Sequence, residues 1–256
     1  MTDRDKYYNK AKQEGYRARS AYKLQQLDET AGLLREGATV VDLGAAPGGW
    51  MQVAAEAVGS EGTVVGVDRQ RIDALEGYEA TVETVRGDMT DEETRAAVVD
   101  RVGMADAVVS DMAPDMTGEY DLDHARSVHL ARQATDVALE LLDTGGDLAV
   151  KVFDGRDLDD LVADLEAEFE YVRQVRPDAS RDSSSELYLV AKGRLTAPVR
   201  EGDTLDVEVV DTGHQGDGIA KVDGFTLFVS GVEEGETVRV RVEEVKPTYG
   251  FADPVE

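Results

Sequence analysis

Several carboxylates and one lysine stand where apolar runs of this chain end, and glycines surround the first of them. Residues 40–50 read Val-Val-Asp-Leu-Gly-Ala-Ala-Pro-Gly-Gly-Trp. An apolar run closes on Asp42, then turns through Gly44, Gly48 and Gly49 into a helical segment. Glycines at such a turn let backbone approach a ligand with no Cβ in the way. The spacing is neither the dinucleotide fingerprint G-x-G-x-x-G nor a phosphate loop with its terminal Lys-Ser/Thr. A nucleoside-type ligand without a pyrophosphate is therefore expected, and S-adenosylmethionine (SAM) is the commonest of these. Asp68 ends the run Val-Val-Gly-Val-Asp and is placed to accept both ribose hydroxyls of such a ligand. Asp88, in Arg-Gly-Asp-Met, is placed to accept from an adenine amino group. Asp111, in Ser-Asp-Met-Ala-Pro, projects into the same crevice, and Val-Lys-Val-Phe puts Lys151 beside it. A lysine inside an apolar run is costly to bury without a function.

The elements that must hold these groups follow from periodicity. Thr39–Leu43, Thr63–Val67, Thr81–Val85, Ala107–Ser110 and Asp147–Val152 are short, Val- and Ala-rich runs bounded by Gly or Asp. Trp50–Val58, Asp91–Val102, Leu122–Leu142 and Leu158–Phe169 carry apolar residues at helical spacing. Strands near Glu170–Val175 and Glu186–Ala191 suit a closing antiparallel hairpin. The alternation predicts an α/β fold, a Rossmann-like, mostly parallel sheet with helices on both faces. From Thr204 the helical period disappears. Thr204–Val210, Gly218–Val222, Thr226–Val229 and Thr237–Val245 alternate between Gly-rich turns, which predicts a small all-β barrel. The expected domains are residues 1–194 and 195–256, joined through Gly193–Glu201.

Composition narrows the setting. The 256 residues include 54 acidic and 27 basic side chains, net −27, and only 8 of the basic ones are Lys. The acid is spread over every element, as on the solvated surface of a protein from a salt-accumulating cytoplasm. Residues 1–24 are the exception at +4, through Arg4, Lys6, Lys10, Lys12, Arg17, Arg19 and Lys23, and are a candidate anion contact. Residues 195–256 carry −9. There is no Cys, so disulfides, thiolate chemistry and Cys-based zinc sites are excluded. His124, His129 and His214 are too scattered to suggest a metal, and each reads as a surface or satisfied residue. Neither a signal peptide nor a membrane-spanning run is evident, so a cytoplasmic protein with no membrane or metal partner is expected. A monomer is expected too.

Five motifs occur in order: Arg-Ser-Ala-Tyr-Lys-Leu (19–24), Asp-Leu-Gly-Ala-Ala-Pro-Gly-Gly-Trp (42–50), Ser-Asp-Met-Ala-Pro (110–114), Val-Lys-Val-Phe (150–153) and Glu-Leu-Tyr-Leu-Val (186–190). Together they resemble the FtsJ/RlmE family of ribosomal-RNA 2′-O-methyltransferases over about residues 5–193. The resemblance implies a SAM-dependent sheet and a catalytic Lys-Asp-Lys-Glu set, which falls on Lys23, Asp111, Lys151 and Glu186. It places the cofactor contacts on Gly48, Trp50, Asp68, Asp88 and Asp111. Asp115 departs from the Asn that the family pattern leads one to expect, next to the substrate. The tail resembles a TRAM domain through Gly-His-Gln-Gly-Asp-Gly-Ile-Ala (213–220), Gly-Phe-Thr-Leu-Phe-Val (224–229) and Tyr-Gly-Phe-Ala (249–252). In an RNA-binding barrel of that kind, Phe225, Phe228, Tyr249 and Phe251 supply either base-stacking faces or core.

The reaction this resemblance implies is in-line attack of a ribose 2′-oxygen on a sulfonium methyl, with Lys151 as base. Asp111 would orient Lys151, Lys23 and the sulfonium would supply the nearby cation, and Glu186 would position Lys23. The expected substrate is a uridine in the A-loop of 23S rRNA in the large ribosomal subunit. The alternatives are the same chemistry on tRNA and a non-catalytic ribosome-assembly factor. A nicotinamide dehydrogenase fits less well still, since Gly44-Ala45-Ala46-Pro47 lacks the needed glycine spacing.

Overall fold

The computed structural model describes residues 3–180, 184–213 and 216–255. His214, Gln215 and Ser183 lie outside the described residues, as do the side chains of Asp3, Arg4 and Asp5. Five strands run parallel in chain order: β1 (Thr39–Leu43), β2 (Thr63–Asp68), β3 (Thr81–Arg86), β4 (Ala105–Ser110) and β5 (Leu142–Phe153). Two more, β6 (Phe169–Val175) and β7 (Glu186–Arg194), finish the sheet as an antiparallel hairpin, in the order β3-β2-β1-β4-β5-β7-β6. The order reverses between β1 and β4. That switch point opens a crevice at the carboxyl ends of the strands.

Consecutive strand residues feed opposite cores, which explains the nearly unbroken apolar runs of a sheet covered on both faces. Val41, Val65, Val108, Leu148, Val150 and Leu189 face α4 (Glu92–Val102), α5 (Tyr120–Leu141) and α6 (Leu158–Glu166). Val40, Val64, Val109, Ala149, Tyr188 and Val190 face α2 (Ala21–Ala31) and α3 (Gly49–Val58). The sequence reading assigned no helix to α2 or to α1 (Asp3–Glu14). For α2 the stripe Ala21, Leu24, Leu27, Ala31 is at helical spacing, and Gly32 closes it in the left-handed region at φ 59. β5 begins at Leu142, five residues earlier than periodicity predicted, because an irregular stretch separates the pairs Ala105–Leu142 and Ala107–Asp147. Phe169 opens β6 instead of ending α6.

After β7 the chain builds a closed barrel from β8 (Thr204–Thr212), β9 (Gly218–Val222), β10 (Phe225–Val229), β11 (Thr237–Val245) and β12 (Tyr249–Pro254). β12 was not expected as a strand; its parallel pairing with β10 is what closes the barrel. Leu195, Ala197 and Val199 pack into the barrel's own core, separate from the two that flank the sheet. Among the described residues no helix is long and apolar enough to cross a membrane.

Candidate active site

Four distant segments deliver charged tips to one place at the ends of β4, β5 and β7. Lys151 and Tyr188 are cross-strand partners in the β5–β7 pair, and Phe153 and Glu186 are partners two residues on. Period-two alternation therefore puts Lys151, Tyr188 and Glu186 on the same face of the sheet. Asp111 follows directly from β4, held where the buried Ser110 hydroxyl donates to the Leu43 carbonyl at 3.0 Å. Lys23 comes from the buried side of α2. The tips form an alternating row. Lys151 Nζ lies 2.8 Å from Asp111 Oδ1, Lys23 Nζ lies 3.5 Å from the same oxygen, and Lys23 Nζ lies 2.7 Å from Glu186 Oε1. Lys151 also donates to the Asp111 carbonyl.

Both lysines are almost withdrawn from solvent, with 6 % of Lys23 and 7 % of Lys151 exposed. Buried ammoniums persist only when paired, which alternation of sign provides. Burial by itself would push the Asp111 carboxyl up. The Lys151 and Lys23 ammoniums, with hydrogen bonds from Lys151 and the Tyr188 hydroxyl, outweigh it and hold Asp111 below the usual carboxylate range. Tyr188, inside the motif Glu-Leu-Tyr-Leu-Val, joins the site by donating its hydroxyl to Asp111 Oδ1, a role the motif alone does not disclose. Its position two residues after Glu186, on the same strand face, was the available signal.

Two cavities meet at this row. On one side a crevice of about 640 Å³ runs along the strand ends past Gly44, Ala46, Asp68, Asp88 and Asp111. On the other a cavity of about 550 Å³ is lined by Lys23, Lys151 and Glu186 together with Tyr120 and Phe153. In the crevice, a Cβ at Gly44 would overlap Met112, so only glycine keeps this wall open at its φ of 78. Asp68 accepts the Ala46 amide at 3.0 Å and the Gln70 amide at 2.7 Å, which fixes its carboxylate with lone pairs to spare. Asp88 accepts both the amide and the hydroxyl of Thr90 through Oδ1. Those bonds, the amide first, hold its carboxyl below the usual range. Carboxylate acceptors beside a glycine turn fit a nucleoside that carries a cationic sulfonium, as SAM does.

The comparisons with known proteins agree with this geometry. A family model described as FtsJ-like methyltransferase matches residues 16–194. The chain belongs to the FtsJ-like methyltransferase family. A TRAM domain model matches residues 198–255. Proteins named ribosomal RNA large subunit methyltransferase E are 70 % identical in Haloarcula marismortui and 68 % identical in Natronomonas pharaonis, each alignment covering all of both chains. A crystal structure described as a ribosomal RNA methyltransferase from Plasmodium falciparum superposes with a TM-score of 0.62 at 25 % identity, over 70 % of this chain and 98 % of that one. The acidic, Lys-poor composition of this chain fits the haloarchaeal source of these relatives.

Within this FtsJ-like domain, not every residue expected at the cofactor lines the crevice. Trp50 is buried under the row of charges, its ring against Tyr188 with centroids 5.7 Å apart and its Nε1 donating to the Ser20 carbonyl at 2.7 Å. Gly48 sits behind the wall, and a Cβ there would press on Arg17. Asp115 lines the crevice wall with Asp68 and Asp88, not the cavity that holds Lys23. Arg17, counted among the anion-contacting cations of the N-terminus, is committed elsewhere. Its guanidinium donates to the backbone carbonyls of Pro47 at 3.1 Å, Asp73 at 2.6 Å and Ala74 at 2.6 Å, and its amide donates to Gln52 Oε1 at 2.7 Å. It thereby staples the glycine turn to the loop after β2. Arg17→Ala is expected to weaken S-adenosylhomocysteine binding by about 10-fold through loss of charged hydrogen bonds, measured by calorimetry.

Asp42 lies directly behind the crevice, fully buried, with Oδ2 lacking any hydrogen-bond partner. Burial, and then the charges of Asp111 and Asp68, push its carboxyl well above the ordinary value of 3.8. An acid whose folded value is raised favours the folded state below its unfolded value. That advantage is lost as pH rises through the interval up to the folded value. Asp42→Asn is expected to abolish a slope of up to about 1.4 kcal/mol per pH unit in that interval, read as thermal midpoints against pH. An unchanged slope would place the titration elsewhere.

The barrel resolves its aromatic residues into two groups. Phe225 belongs to the core. Phe228, Tyr249 and Phe251 sit on the outer face of β10 and β12, their ring centroids 5.6 to 5.8 Å apart. His124 is buried and satisfied, with Nδ1 on the Phe153 carbonyl and Nε2 accepting the Asp157 amide.

Proposed function

We propose that this FtsJ-like enzyme transfers the methyl group of SAM to the ribose 2′-oxygen of a uridine in the A-loop of 23S rRNA in the large ribosomal subunit. The single observation that carries the reading is the row Lys151–Asp111–Lys23–Glu186 standing between a nucleoside-shaped crevice and a second cavity. When bound, SAM supplies an electrophilic methyl carried on a sulfonium. Asp68 and Asp88 would hold its ribose and adenine, in the crevice that Gly44 and Ala46 line. Lys151 takes the proton of the 2′-hydroxyl, and Asp111 fixes the direction of its Nζ. Lys23 stands across Asp111 from Lys151 and is itself held by Glu186.

The named relatives favour ribosomal RNA over tRNA, and the intact row argues against a non-catalytic assembly factor. RNA binding by so acidic a chain follows from salt. The Debye length is about 3 Å at 1 M, so distant carboxylates are silent and contact-range groups decide. The outward rings of Phe228, Tyr249 and Phe251 fit base stacking, which salt does not screen. Ribosomes from a strain lacking this gene are expected to lose one 2′-O-methyl mark in the A-loop while every tRNA mark persists. Loss of a tRNA mark with the ribosomal ones intact would move the substrate to tRNA.

A further inference from the structure

The cavity beyond the charged row has a rim that the methyl-transfer chemistry leaves unused. Two large side chains stand exposed there, Met116 at 62 % and Tyr120 at 59 %. On a chain this acidic, exposed apolar area beside a reactive cavity points to a partner. Neither residue is on a loose end. Buried Asp123 accepts the Thr117 amide and hydroxyl, each at 2.8 Å, and the Gly118 amide at 3.0 Å, so the loop carrying Met116 is pinned to α5. Those bonds, the Thr117 amide first, hold the Asp123 carboxyl below its usual range. Tyr120 reaches across the mouth and donates to the Asp154 carbonyl at 2.7 Å, which ties the start of α5 to the loop after β5. Its side chain lines the cavity while remaining largely exposed.

Ribose geometry decides what can lie between them. The 2′-hydroxyl and the base are carried on neighbouring carbons. A ribose presented to Lys151 must therefore bring its base into the same cavity, because the other side of the row is the cofactor crevice. Such a base is unpaired and unstacked from its neighbours, and it gains most from an apolar or aromatic face. We infer that Met116 and Tyr120 form a clamp for the nucleobase of the target nucleotide, and that this clamp aligns the 2′-oxygen with Lys151. The inference rests on the methyltransferase reading above and adds to it the residues that hold the substrate base.

The test uses the full chain with large ribosomal subunits from a strain deleted for the gene. Tyr120→Ala is expected to lower kcat/KM for subunits by on the order of 10- to 100-fold, the range found for lost base stacking. Met116→Ala lowers it less, by about 5-fold. S-adenosylhomocysteine affinity stays within about 2-fold in both, which also reports that the fold is intact. Tyr120→Phe keeps both ring faces, loses only the bond to Asp154, and retains wild-type kcat/KM. Wild-type turnover in Tyr120→Ala overturns the clamp, and so does a Tyr120→Phe defect as large as that of Tyr120→Ala, which would mean that the hydroxyl bridge alone matters. If the wild-type chain itself transfers no methyl to these subunits, the methyltransferase reading fails, an outcome plainly distinct from failure of the clamp.

Discussion

Lys151→Ala lowers methyl transfer by about 10³-fold or more, the range for removal of a general base, while S-adenosylhomocysteine binds within a few-fold of wild type. The separation is expected because Lys151 lines the cavity beyond the row and not the cofactor crevice, whereas Asp111 lines the crevice. Truncating Lys151 leaves Asp111 paired with Lys23 at 3.5 Å and bonded by the Tyr188 hydroxyl, so no charge is abandoned in the interior. Single-turnover transfer of labelled methyl at saturating SAM, with calorimetry of cofactor binding, separates the two effects. Turnover near the wild-type rate would remove Lys151 from the chemistry.

Asp111→Ala has the largest expected effect on stability. It deletes the counter-ion shared by two buried ammoniums. Lys23 keeps Glu186 at 2.7 Å, but Lys151 has no other carboxylate partner among the described residues. Leaving one buried charge unpaired costs about 3–5 kcal/mol. Molar salt does not relieve this, since ions do not penetrate to screen a buried pair. The double variant Asp111→Ala with Lys151→Met removes the orphaned charge along with its cause. It is expected to recover most of the lost stability and none of the activity, a coupling that denaturant melts of all four proteins measure. Because the Asp111 carboxyl is held below the usual range, its contribution is present at neutral pH. That contribution is lost as pH falls through the folded value. Additive losses in the double variant would show that the row is not an energetic unit.

How much of this was legible in the chain depended on whether a signal lay in side-chain spacing. Strands β1, β2 and β4 were readable because both faces are buried and apolar runs end sharply at Asp or Gly. Lys151 was readable as a charge inside such a run. α2 was harder to read because its stripe Ala21–Leu24–Leu27–Ala31 is short and interrupted by Lys23, Gln25 and Gln26, although that helix is what turns Lys23 inward. β12 carries Gly250 and ends at Pro254, residues that weaken a strand pattern, and it is fixed by partners on both sides. Arg17 had no readable role at all. It binds the carbonyls of Pro47, Asp73 and Ala74, and backbone acceptors leave no trace in side-chain identity. For the same reason the N-terminal segment is not a detachable basic arm. Tyr16, Arg17 and Ala11 are built into the fold, so charge reversal at exposed Lys6 and Lys12 probes RNA contact more cleanly than deletion of residues 1–18.

The most direct measurement of the central claim is methyl transfer to subunits whose mapped target nucleotide is replaced by its 2′-deoxy counterpart. The base, the sugar ring and every surrounding contact persist, and only the oxygen facing Lys151 is gone. Transfer to the unaltered subunits and none to the 2′-deoxy ones is the predicted result. Equal labelling of both would show that the methyl goes to a base, and that the charged row serves some other chemistry.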